Sequence, residues 1–149
     1  MAVIVTLVLG TVGARLVGLL GVDYVDGWPQ AVAVGLAAMF MMTGVAHFVP
    51  AMRRDMIAIV PPPLAAPGLL VTITGVLELV GAAGLLYPPT RVTAAVCLFV
   101  LMLAMFPANV YASQMPNPPK SMASRLDMRT VEEVVYLAAA VMVGLGSIQ

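Results

Sequence analysis

The sequence predicts an all-α integral membrane helical bundle, and three observations carry that prediction. The chain of 149 residues is 62% hydrophobic and only 9% charged, where a soluble domain carries roughly 25% charged residues. Its apolar residues fall into five runs near the ~20 residues that a helix needs to cross the hydrocarbon core of a bilayer. Proline and glycine gather between the runs, where helices end. No stretch is left for a separate soluble domain, so residues 1–149 read as one transmembrane helical domain.

The first run, 3–21, is interrupted by Arg15. It reads as a retained helix and not as a signal peptide, because its first ten residues hold no basic side chain and no cleavage site follows. Gly27-Trp28-Pro29 separates it from the second run, 31–49, and Trp28 suits a membrane interface. Between 50 and 60, Met52, Met56, Ile57 and Ile59 mix with Arg53, Arg54 and Asp55, which predicts a short interfacial helix. The Pro61-Pro62-Pro63 turn and Pro67 then lead into the third run, 68–87. Tyr87-Pro88-Pro89 is so short that the fourth run, 91–111, must pack as an antiparallel neighbour of the third. Pro107 is expected to kink that fourth helix. The fifth run, 131–148, opens with Glu132 and Glu133, a start that also suits a helix lying partly in the interface.

Basic residues predict the topology. If five helices cross, Arg53, Arg54, Lys120, Arg125 and Arg129 fall on one side, and only Arg91 falls on the other, with Asp23 and Asp26. The positive-inside rule then puts the chain in the cell membrane with its N-terminus in the cytoplasm.

Residue counts exclude several chemistries. Net charge is zero, and lysines and arginines stand singly between apolar runs, so nothing suggests nucleic acid as a partner. Cys97 is the only cysteine, so no disulfide forms within the chain and a self-contained CxxC oxidoreductase is excluded. His47 is the only histidine, which leaves both a bis-histidine haem and a zinc site short of ligands. No metal site is expected, and Met39, Met41, Met42, Met102 and Met105 read as core or lipid-facing filler. With no intrinsic cofactor or redox centre, catalysis by this chain alone is not expected.

The polar residues inside the runs are the functional candidates. Glu78 stands near the middle of the third run, which holds no other charge. A carboxylate at that depth costs a few kcal/mol or more unless it faces other helices or a wet cavity and finds a partner. Thr11 and Arg15, Thr43 and His47, Thr74 and Glu78, and Glu132 and Tyr136 are each four apart, so each pair shares a helix face. Arg15 lies about 18 Å and Glu78 about 15 Å from the cytoplasmic ends of their helices, at ~1.5 Å per residue. That arithmetic predicts an intramembrane Arg15–Glu78 ion pair. A second cluster is expected near the cytoplasmic face from His47, Asn109, Glu132, Glu133 and Tyr136. Gly10, Ala14 and Gly18, and Ala140 and Gly144, recur every four residues and predict close helix packing, internally or against another copy of the chain.

Several stretches together resemble the DoxX-like family of small integral membrane proteins. They are Gly44-Val45-Ala46-His47-Phe48, Ile59-Val60-Pro61, Thr74-Gly75-Val76-Leu77-Glu78-Leu79, Gly84-Leu85-Leu86 and Phe106-Pro107-Ala108-Asn109, in matching order across roughly 39–111. The resemblance implies a four-helix DoxX-like core made of the second to fifth runs, with the first as an N-terminal addition. The family pattern continues with an arginine and a Pro-Leu-Gln stretch. Here Arg125 and Arg129 are present and the glutamine is not. By motif position, His47, Glu78 and Asn109 are the ligand-binding candidates, while Pro61 and Pro107 are structural.

Two functions follow as expectations. The first is an accessory or anchor subunit of a membrane redox system, with a pocket inside the bundle for a quinone-like or lipidic ligand. Other membrane redox proteins would then be its partners. The alternative is a structural or chaperone-like membrane scaffold that stabilises a partner membrane protein.

Overall fold

The structure, a computed structural model, describes residues 2–147. Within them lie six α-helices, three single turns of 3-10 helix and no strand. The helices are α1 (Ala2–Leu19), α2 (Trp28–Ala46), α3 (Pro50–Ala58), α4 (Pro67–Leu86), α5 (Arg91–Gln114) and α6 (Leu126–Gly146). The 3-10 turns are Asp23–Val25, Pro88–Thr90 and Lys120–Met122.

Proline sets the helix starts. Pro29, Pro50 and Pro67 each occupy the first turn of a helix, where a missing N–H costs nothing and a fixed φ suits the geometry. Pro107 does not end α5, which runs on to Gln114. α6 begins five residues before the apolar run does, at Leu126, so that Asp127 and Arg129 belong to the helix. Ile148, the expected last residue of that run, lies outside the described residues.

α2 is the hub, packing against α1, α4 and α6, while α5 packs against α4 and α6. α2, α4, α5 and α6 therefore close a four-helix ring, with α1 laid against α2. Neighbours in the ring run antiparallel. Gly44 lies at Leu79 and Gly75 at His47 between α2 and α4, and Gly81 lies at Leu98 between α4 and α5. Asn109 bonds to Arg129 between α5 and α6, and Gly146 meets Pro29 between α6 and α2. The shared core holds Leu36, Met39 and Phe40 of α2, Leu85 of α4, Leu98 and Met102 of α5, and Tyr136 and Val143 of α6. Leu7 of α1 joins it.

Small residues let the backbones approach. A Cβ added to Gly35 would stand 2.6 Å from the Leu7 carbonyl oxygen, and one on Gly10 would stand 2.9 Å from the Gly35 Cα. Ala14 packs with Val25 and Ala31, and Gly18 faces Val25 and Asp26. The Gly10-Ala14-Gly18 stripe is thus consumed inside the molecule. Ala140 is also core, whereas a Cβ on Gly144 would meet open space.

Four helical stretches are long and apolar enough to cross a membrane: Ala2–Leu19, Trp28–Ala46, Pro67–Leu86 and Pro88–Gln114. The sequence predicts five. α6 is long enough, but Asp127, Arg129, Glu132 and Glu133 stand in its first half. The outward faces are apolar, with Leu9, Val80, Val100 and Leu145 more than half exposed.

Candidate functional site

His47 and Glu78 meet in the seam between α2 and α4. His47 follows the last residue of α2 as its C-cap, and its N–H still bonds to the Thr43 and Gly44 carbonyls at 3.3 Å. Gly75 makes room for it: a Cβ there would stand 2.9 Å from His47 Cγ. Gly44 does the same for Glu78, whose Cβ would lie 3.3 Å away. Both side chains are buried, His47 at 3% and Glu78 at 4% exposure.

The hydrogen bonds form a crossed quartet. His47 Nε2 lies 3.4 Å from Glu78 Oε1. Thr43 of α2 donates to Glu78 Oε2 of α4 at 2.6 Å. Thr74 Oγ1 of α4 lies 3.2 Å from His47 Nδ1. Each threonine is one turn before an ionisable residue on its own helix and serves the one on the other helix. The antiparallel register causes this, because one turn back on α2 is level with one turn on along α4.

The protonation pattern follows from acceptors. His47 Nδ1 lies 2.8 Å from the Val71 carbonyl oxygen, which only accepts, so Nδ1 carries its hydrogen. A proton between Nε2 and Oε1 would make that contact a hydrogen bond. On nitrogen it makes an ion pair; on oxygen it makes a neutral hydrogen bond. Both forms leave the pair without net charge, which avoids burying an isolated ion.

Arg15 does not join this site. Its Nη1 lies 3.3 Å from Asp26 Oδ1 and its guanidinium stands 5.7 Å from the centre of the Trp28 ring. The expected Arg15–Glu78 pair is therefore replaced by Arg15–Asp26 and His47–Glu78. Depth along a helix does not fix a partner by itself, because the side of the helix matters too. α1 touches α2 at Gly35 and α4 touches it at Gly44. Nine residues are about two and a half turns, so α1 and α4 sit on opposite sides of α2.

The expected second cluster divides. Asn109 accepts from Arg129 Nη1 at 2.6 Å, while His47 is tied to Glu78. Arg129 also donates through Nε to the Ser124 carbonyl at 3.2 Å and through Nη2 to that of Met122. Glu133 Oε1 and the Tyr136 hydroxyl are buried without a hydrogen-bond partner among the described residues.

Three further contributors carry little or no mark in the sequence. Arg129 is a buried fastener of the loop before α6, not just a topological charge. Its place four residues before Glu133 and seven before Tyr136 was the available signal. Arg53 ties α3 to α4, donating to the His47 carbonyl at 3.3 Å, the Gly68 carbonyl at 2.8 Å and Thr72 Oγ1 at 2.9 Å. The Val71 carbonyl that fixes the His47 tautomer carries no sequence signal. Two depressions of about 290 Å³ and 210 Å³ lie along α1, and neither is lined by His47, Glu78 or Asn109.

No curated protein and no solved structure matches the chain. Residues 36–144, from the middle of α2 to the end of α6 and so most of the four-helix ring, match the family described as Domain of unknown function (DUF8561), and the chain belongs to that family.

Proposed function

We propose that this protein is an accessory subunit of a membrane redox system. Its bundle would present the His47–Glu78 pair to the polar head of a quinone-like or other lipidic ligand. The observation that carries this reading is the meeting of two buried ionisable side chains of opposite character, His47 Nε2 at 3.4 Å from Glu78 Oε1. Ionisable groups inside a membrane bundle mark ligand or proton sites, and His47 Nε2 and Glu78 Oε1 set a nitrogen and an oxygen side by side where a polar head could bond to them. The sequence resemblance to the DoxX-like family supports the redox association. One cysteine and one histidine supply no redox centre, so a partner protein would carry the electrons.

In this reading five helices cross. α6 runs from a contact with Asn109 of α5 to a contact with Pro29 at the start of α2, which supports a full crossing despite its acidic first half. Arg53, Arg54, Lys120, Arg125 and Arg129 would mark the cytoplasmic side of the cell membrane, with the N-terminus. Ser121 bonds to Asp55, which holds the α3 and Lys120–Met122 segments together at that end.

The test is mass spectrometry of small molecules that co-purify with the wild type and with Glu78→Gln in mild detergent. A quinone enriched in the wild type and lost from the variant is the expected result. Bulk lipid alone in both overturns it.

One observation favours the scaffold instead: the hydrogen bonds of the quartet are supplied from within the bundle. In that reading the pair only clamps α2 to α4. Glu78→Gln would then alter stability and leave the co-purified molecules unchanged.

A further inference from the structure

The two depressions beside α1 adjoin at Val12, which lines both, and together they mark a groove along that helix. The first is lined by Val12, Arg15, Leu16 and Leu19, spaced as one face of α1, and by Trp28. The second adds Leu7, Val8 and Thr11 of α1 and shares Val12 with the first. Val32 of α2 and Ala139 of α6 form its other side. From Leu7 to Leu19 the groove follows about 18 Å of helix. One leaflet of a ~30 Å hydrocarbon core is about 15 Å thick. Length and lining therefore fit an acyl chain lying in a single leaflet.

The mouth is charged in both signs. Arg15 and Asp26 stand 3.3 Å apart, with 21% and 69% of their side chains exposed. Asp23 lies in the adjoining 3-10 turn. Trp28 is more than half exposed at the start of α2, a place where an indole marks the headgroup level. Arg15 has five N–H donors and the bond to Asp26 uses one, so it can still fork onto a phosphate. A primary ammonium next to that phosphate would meet the carboxylate of Asp26.

We propose that this groove is a specific site for a phospholipid with a phosphate and a primary amine in its head, one acyl chain lying along α1 from Leu19 to Leu7. The site is separate from the His47–Glu78 pair and does not rest on the redox reading. Arg15 reaches up from the groove wall to the phosphate, as long basic side chains do at a membrane interface. Asp26 selects the amine. The same Arg15–Asp26 pair that the bundle leaves at its edge thus becomes the recognition element.

The experiment is native mass spectrometry of the full chain after reconstitution in vesicles with equal amounts of phosphatidylethanolamine, phosphatidylglycerol and phosphatidylcholine. The wild type is expected to retain one phosphatidylethanolamine, several-fold above the other two. Val12→Trp fills the groove from an exposed position and should abolish retention with an unchanged unfolding temperature. Arg15→Gln should reduce retention of all heads, and Asp26→Asn should erase the preference for the amine. Equal retention of the three lipids, preference for phosphatidylglycerol, or retention that survives Val12→Trp each overturns the proposal. If Arg15→Gln fails to fold, Val12→Trp and Asp26→Asn still decide it.

Discussion

At the scale of residues, the chemistry of the interior rests on four side chains in two helices. His47 and Glu78 stand out in the sequence because each is an ionisable group in an apolar run. Thr43 and Thr74 stand out because each lies one turn before one of them. Their exchange of partners does not show in one dimension, since it needs the register of α2 on α4. The pair should behave as a unit. His47→Ala leaves the buried Glu78 carboxyl with Thr43 but without the imidazole, a loss of about 1–3 kcal/mol. The double variant with Glu78→Ala should cost less than the sum of the singles, because neither group is then stranded. Unfolding of all four proteins in detergent measures the coupling, and strict additivity would rule out a direct interaction. Arg15 teaches the converse. It lies at a plausible depth, yet it faces Asp26 and Trp28 because its helix occupies the other side of α2.

At the scale of elements, glycines decide which helices touch. Gly35 takes the backbone of α1 and Gly44 and Gly75 take the seam that holds the pair. Gly35→Ala would drive a methyl towards the Leu7 carbonyl, a backbone atom that cannot swing aside. A loss of about 1–3 kcal/mol is expected, as for overpacking elsewhere, with α1 loosened before the ring. Amide hydrogen exchange should show α1 exchanging faster while α4 and α5 stay protected. Gly144→Ala is the control, since its added methyl meets open space. Arg129 holds the segment before α6 through two carbonyls and Asn109. Arg129→Ala should free that segment, and limited proteolysis should cut between 115 and 125 faster than in the wild type. An unchanged cleavage rate would mean that the fastening is redundant.

At the scale of the whole molecule, the four-helix ring and its antiparallel order turn five apolar runs into two distinct ends. Arg53, Arg54, Lys120, Arg125 and Arg129 belong to one end, and Arg15, Asp23, Asp26 and Arg91 to the other. Arg91 is held there by its Nε bond to the Leu85 carbonyl at 2.9 Å and by the Tyr24 ring at 5.3 Å. Single cysteines in a Cys97→Ser background test the crossing count. Ser121→Cys should react with an impermeant reagent only from the cytoplasmic side. Asp23→Cys and Ser147→Cys should both react only from the other side. If Ser147→Cys reacts with Ser121→Cys, α6 does not cross.

Composition and spacing by themselves determined that this chain is helical, apolar on its outer faces and built from runs of membrane length, because helix periodicity and residue hydrophobicity are local properties. They also marked His47 and Glu78, since an ionisable group in an apolar run is conspicuous without any neighbour. The tertiary structure alone decided which groups meet. It gave Glu78 to His47, Asn109 to Arg129 and Arg15 to Asp26, and it turned the Gly10-Ala14-Gly18 stripe inward. The physical reason is that a partner is fixed by the side and register of helix packing, and both are set by where glycines let two backbones approach.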